Sequence, residues 1–151
     1  MIRVVVAVAV ATALLATSLP AVDSARADRT AAHLDGEMAR LSAAATSLVD
    51  DDDATVSGVP GARRVLSVSV PARSWTAAGV DAIRVGCRDG EGCRRPMVGY
   101  ELDNGRQRRV RLDVPLVVAD GPLVLRETGR HRLTLTLTRR DGSVAVVVAR
   151  E

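Results

Sequence analysis

The chain has 151 residues, a net charge of +3 and an apolar fraction of 47%, which suits one compact domain with an extension and excludes a disordered chain. Phe is absent and Trp and Tyr occur once each, so the core must be aliphatic and rings for base stacking are scarce. We therefore expect no nucleic-acid partner.

Residues 1–22 form an apolar segment in which Arg3 is followed by an uncharged run from Val4 to Leu19. As a helix the run reaches roughly 24 Å, and three more residues bring it to roughly 28 Å, close to the roughly 30 Å hydrocarbon core of a bilayer. The segment is either a membrane anchor or a signal peptide cleaved after Ala27. An anchor predicts a single-pass protein of the cell membrane with its C-terminal domain outside, and cleavage predicts a secreted protein.

Residues 23–49 are predicted to form an amphipathic helix. Its apolar residues recur at steps of three and four, which places them on one face: Leu34, Met38, Leu41, Ala45 and Leu48. If the anchor is retained, this face is a candidate docking surface for a protein partner. The alternative is that the helix covers the sheet of its own domain.

An acidic linker is predicted over residues 50–60, beginning with the run Asp50–Asp53. Carboxylates are unfavourable at the electronegative C-terminus of a helix, so the run is expected beyond the helix. It lacks the alternating oxygen ligands, the glycine and the closing glutamate of a calcium loop, and we predict no metal site there.

A mostly β domain is predicted over residues 61–151, because the apolar period switches to two. The alternating segments include Leu66–Val70, Val110–Val114 and Leu133–Leu137. Asp141-Gly142 makes a two-residue turn from the last of these into Val144–Val148, which predicts a hairpin. We expect an α+β protein: an apolar helix, its amphipathic continuation, then an antiparallel sandwich or curled sheet of six to eight strands.

Two cysteines, Cys87 and Cys93, bracket a turn that contains two glycines. In an oxidising compartment they can close a small disulfide loop across a hairpin end. Two free thiols and half of a metal site are the alternatives, and the second is weak because zinc needs four ligands and the chain has two histidines.

Four arginines cluster in one predicted strand and its approach: Arg106, Arg108, Arg109 and Arg111. They could form a basic surface for an acidic partner or an anionic lipid or polymer. The alternative is a solvated face that reflects codon usage, since all 21 basic residues of the chain are arginine.

Catalytic motifs are not evident, and we predict no enzyme, no cofactor and no small-molecule substrate. His33 lies on the helical arm, and His131 is expected to face solvent at the start of a strand. Neither belongs to a nucleophile, zinc or phosphate motif.

A whole-chain resemblance rests on several short blocks: Met1–Val6, Ser18–Val22, Gly61–Arg64, Asp120–Leu125 and Arg139–Gly142. With these blocks the chain resembles an uncharacterised haloarchaeal envelope family with a pilin-like layout, encoded near type IV pilus or secretion genes. The resemblance implies protein partners in an envelope assembly and no known activity or site. We expect an accessory, pilin-like membrane component; the alternative is a secreted or anchored β-sandwich binding module that recognises an envelope partner or an anionic polymer.

Overall fold

A computed structural model describes residues 2–56, 59, 61–86, 96–119, 121–140 and 142–151. Its first element, α1, is a single 50-residue helix, Ile2–Asp51. Ala and Leu favour the helix throughout, and it continues through Pro20, whose missing N–H leaves one backbone carbonyl a turn earlier without its usual donor. The predicted apolar helix and the predicted amphipathic helix are therefore one element.

Nine strands follow α1 in the described part of the chain. They are β1 (Thr55–Val56), β2 (Arg63–Val70), β3 (Val80–Gly86), β4 (Met97–Leu102), β5 (Gln107–Arg111), β6 (Leu116–Val118), β7 (Leu123–Leu125), β8 (Gly129–Arg140) and β9 (Ser143–Arg150). They make two sheets, which we call the long sheet and the short sheet. Neither sheet closes into a barrel.

The long sheet is built around β8. One edge of β8 pairs antiparallel with β9, and the other pairs antiparallel with β2 and then parallel with β1. β6 joins the far side of β9 in parallel. The register sets Leu66 opposite Leu133 and Leu135 opposite Val148, so the apolar residues of three strands share one face. The predicted hairpin is confirmed as β8–β9.

The short sheet has the strand order β5-β4-β3-β7, and all its pairs are antiparallel. Ile83 lies opposite both Tyr100 and Leu125, and Val85 lies opposite Val98. These residues are buried on the inner face. Their neighbours in sequence point to the outer face.

The core lies where the second half of α1 meets the inner faces of both sheets. The buried helix residues follow steps of three and four: Ala27, Thr30, Ala31, Leu34, Glu37, Met38, Leu41, Ala45 and Leu48. The α+β layout expected from the sequence is thus confirmed, with the helix as a layer of the β head and not an appendage to it.

Three local expectations differ from the structure. Asp50 and Asp51 belong to the last turn of α1, where Arg64 of β2 lies 3.9 Å from Asp51 and compensates the unfavourable carboxylate. The strand predicted over Val110–Val114 ends at Arg111. His131 is buried, because it shares the inward face of β8 with the leucines that follow it, and its Nε2 donates to the carbonyl of Glu127 at 2.6 Å.

Candidate functional site

The first half of α1 is an apolar surface that nothing in the described chain covers. An 18-residue window there has a mean hydropathy of 2.2, and none of it is buried. Its large residues are exposed, Leu15 by 68% and Leu19 by 64%. The helix is long and apolar enough to cross a membrane, and a signal sequence would share these properties. Water-soluble monomers rarely expose an apolar patch of this extent.

The head begins to cover the helix at Ala27, which is almost fully buried, while Val22 is still exposed. The two positions are five residues apart on the helix, about 7–8 Å along the axis. The apolar half therefore ends just short of the head. No flexible connection separates them, since α1 is continuous there.

The face offered as a docking surface for a partner is occupied by the head of the same chain. Leu34, Met38, Leu41 and Leu48 are all at most 5% exposed and belong to the core. The sheets present complementary aliphatic inner faces, and the helix buries its stripe against them. These residues therefore match the alternative interpretation, in which the helix covers the sheet of its own domain.

The four arginines of the predicted basic surface, Arg106 just before β5 and three within it, point to two different faces of the short sheet. Arg106 pairs with Asp28 of α1, and Arg108 lies 3.1 Å from Asp35 of α1. These two arginines therefore join the short sheet to the helix. Burial, followed by the charge and hydrogen bond of Asp35, raises the pKa of Tyr100, which lies opposite Arg108.

The other two arginines lie toward the outer face of the short sheet. Arg109 pairs with Gly99 of β4 in the sheet register and donates to Gln107 at 2.9 Å, and Arg111 pairs with Met97. A groove of about 270 Å³ opens on this face, lined in part by Arg109, Met97 and Arg84. Gly99 forms its floor, where a Cβ would meet the carbonyl oxygen of Arg108 at 2.5 Å.

Within the helix, Glu37 is a buried carboxylate. Its Oε1 contacts Arg40 and lies 3.6 Å from His33 Nε2, while its Oε2 has no hydrogen-bond partner among the described residues. It borders a cavity of about 10 Å³, room for about one water molecule, between α1 and the two sheets. In the described ranges, no three His, Cys, Asp or Glu residues group closely enough to hold a metal ion.

A feature that sequence reasoning missed lies where the head meets the exposed half of α1. Trp75, between β2 and β3, is 87% exposed, more than any large apolar residue of the helix. Arg26 donates from Nε to the carbonyl of Trp75 at 2.6 Å, and its guanidinium lies 5.6 Å from the ring centroid. The sequence did contain a signal for this exposed ring, because the single tryptophan stands between Ser74 and Thr76 in a polar turn.

The predicted disulfide between Cys87 and Cys93 lies outside the described residues and stays a prediction.

Comparison with known proteins places the whole chain in one family. The family model described as "Domain of unknown function (DUF7311)" matches residues 1–151, so the chain belongs to that family. No curated protein and no solved structure matches it.

Proposed function

We propose that this DUF7311 protein is a non-enzymatic, single-pass membrane component whose head stands outside the cytoplasm as an accessory, pilin-like part of a type IV pilus or secretion-type assembly in an archaeal envelope. One observation carries the proposal. The same helix is exposed and apolar from Ile2 to Val22 and is a layer of the head's core from Ala27 to Leu48.

The arrangement supports an anchor because an exposed apolar helix of this length is stable in hydrocarbon and unfavourable in water. It supports an assembly component because the anchor enters the head without a flexible linker. A rigid anchor fixes the position of the head relative to the bilayer. Fixed positions suit subunits that must meet neighbours in the membrane and outside it at once.

The membrane part of the proposal is tested by carbonate extraction of native membranes, followed by N-terminal sequencing of the protein. We expect the chain in the membrane pellet with Val4–Leu19 intact, and the head degraded by protease added from outside. A soluble protein that begins at Asp28 would refute the anchor. Protection of the head in sealed cells would refute the orientation.

The assembly part is tested by a photoreactive residue in place of Leu15, which is exposed, with the same residue at Leu48, which is buried, as the matched control. Position 15 should crosslink to a defined envelope protein or a second copy, and position 48 should crosslink only within the chain. Crosslinks from position 15 to lipid alone would leave a plain membrane anchor and refute the assembly role.

A second candidate function is a binding module that recognises an envelope partner or an anionic polymer. The groove on the outer face of the short sheet favours it, because Arg109 lies beside a floor without a side chain at Gly99, while Arg84 is paired there with Glu101 at 3.1 Å. Arg109→Glu should abolish binding to such a polymer, whereas the separate control variant Arg139→Glu, on the long sheet, should still bind it. If Arg109→Glu binds the polymer as well as Arg139→Glu does, this use of the groove is refuted.

A further inference from the structure

We infer that the turn carrying Trp75 is a second membrane contact, in which the indole ring and the neighbouring arginines sit in the lipid headgroup layer. This inference rests on the proposed anchor, and it adds that the head lies directly on the bilayer. Four observations carry it: the exposure of the ring, its level along α1, the construction of the turn and the charges beside it.

The level of the ring along the helix follows from the contacts of Arg26. The guanidinium of Arg26 reaches back toward the N-terminus, where Nη1 lies 3.2 Å from Asp23 Oδ1. Trp75 lies over that guanidinium, so its ring stands beside the turn from Asp23 to Arg26. That turn begins one residue beyond Val22, the last large apolar residue of the helix that is exposed.

If the apolar half of α1 spans the membrane, the helical turn from Asp23 to Arg26 lies at the depth of the lipid headgroups. Val4 to Val22 measures about 28 Å as a helix, close to the hydrocarbon thickness. The headgroup layer adds roughly 5–8 Å on each side. Trp75, beside Asp23–Arg26, falls inside this layer, where tryptophan is enriched because its ring is apolar and its N–H donates to water or to headgroup oxygens.

The turn is built to hold the ring outward. Ser74 Oγ accepts from the backbone N–H groups of Thr76 and Ala77 at 3.2 and 3.1 Å, and Ser74 N donates to the carbonyl of Ala77. Thr30 of α1 fixes the next residue, because its buried Oγ1 accepts from the N–H of Ala78 at 2.9 Å. The turn is thus tied to the helix, yet its largest apolar side chain contributes little to the core.

The charges beside the ring suit lipid phosphates. Arg29, three residues after Arg26 on α1, and Arg73, two residues before Trp75, are exposed, and the one carboxylate in the turn from Asp23 to Arg26 is paired with Arg26. Arg73 lies 3.2 Å from Asp103, so it is held at the base of the head. Guanidinium groups bind phosphate oxygens in a bidentate manner, and anionic headgroups attract them. A bilayer surface therefore satisfies both the ring and its neighbours.

The experiment uses the fluorescence of Trp75, the single tryptophan of the chain, in the full-length protein. The protein is placed in vesicles of phosphatidylcholine and phosphatidylglycerol, and acrylamide and brominated lipids serve as quenchers. The control is the double variant Trp75→Phe/Ser143→Trp. Ser143 is exposed where β9 begins, opposite the end of β8 that pairs with β1, the strand that follows α1. The C-terminus of α1 at Asp51 is about 36 Å along the helix from Ala27.

We expect blue-shifted emission from Trp75, strong quenching by the brominated lipids, and acrylamide quenching reduced roughly twofold or more relative to the control, as for a ring among headgroups. Emission and quenching equal to those of Ser143→Trp would overturn the inference. Flotation of the same vesicles reports the anchor separately. If the protein floats while Trp75 behaves as in water, the second contact fails and the anchor stands; if it does not float, the proposed anchor itself fails.

Discussion

Shortening one leucine in each half of α1 should separate the two roles of the helix. Leu34 is 1% exposed and borders the small cavity between the helix and the sheets, whereas Leu14 is 63% exposed. Leu34→Ala removes buried methyl groups and enlarges an existing void, a change that costs about 3–5 kcal/mol in comparable cores. Leu14→Ala removes the same atoms from a surface that the head does not touch, and should change the stability of the head by less than about 0.5 kcal/mol.

The assay is urea unfolding in micelles, followed by far-ultraviolet circular dichroism of the β head. With a slope of about 2 kcal/mol per molar urea, a loss of 3 kcal/mol lowers the midpoint by roughly 1.5 M. Leu41 lies two helical turns from Leu34, about 10 Å, and lines the same cavity, so the costs of Leu34→Ala and Leu41→Ala should deviate from simple addition. Because small domains are stable by only about 5–15 kcal/mol, the double variant should lose a large share of the head's stability and unfold at a lower urea midpoint than either single variant. Equal midpoints for Leu14→Ala and Leu34→Ala would show that the helix is not part of the head's core.

Two further measurements probe the helix and the short sheet. Gly36→Ala should stabilise the protein by about 0.5–1 kcal/mol, because a Cβ at this helical position meets no atom within 4 Å. Gly99→Ala should instead destabilise it, because the new Cβ would meet the carbonyl of Arg108 at 2.5 Å, and thermal unfolding distinguishes the two signs. Burial and then Asp35 raise the pKa of Tyr100, so folding favours the neutral phenol. The contribution of Tyr100 to the free energy of unfolding is therefore fully present below about pH 10 and is lost as the pH rises through the folded-state pKa. Ultraviolet titration of this single tyrosine should show a raised pKa that Asp35→Asn lowers, and an unchanged value in both proteins would contradict the contact.

The periodicity of apolar residues predicted the helix and the main strands, because the pattern that indicates each of them lies within its own residues. Steps of three and four gave the helix face of Leu34 and Leu41, and alternation gave the β8–β9 hairpin. Periodicity says that a face is buried but not against what, which is why the helix face remained open to two interpretations. The inward alternation of β8 extends back to His131, and following it would have predicted the burial of that histidine.

Long-range pairs were beyond sequence reasoning. Arg64 of β2 lies beside Asp51 and offsets part of the unfavourable charge in the last helical turn. Arg106 and Arg108 look like a basic patch in sequence, yet each meets a carboxylate of α1. Contacts between residues so distant in sequence depend on the packing of whole elements. A charge pattern in one strand therefore predicts a surface more readily than it predicts an ion pair.

The contact between Arg26 and Trp75 bears on whether the apolar half is retained. Cleavage after Ala27 would remove Arg26 and leave the core stripe from Leu34 to Leu48 in place, so the head could fold in either form. The released head would keep Ser74 and Thr30, which hold the turn, and would lose only the contact of Arg26 with a tryptophan that is 87% exposed even with Arg26 present. In the retained chain, the proposed membrane contact would place the same ring in the headgroup layer, where its exposure is favourable. The proposed contact of Trp75 with lipid headgroups therefore depends on the retained helix, and a mature protein that begins at Asp28 would contradict both proposals.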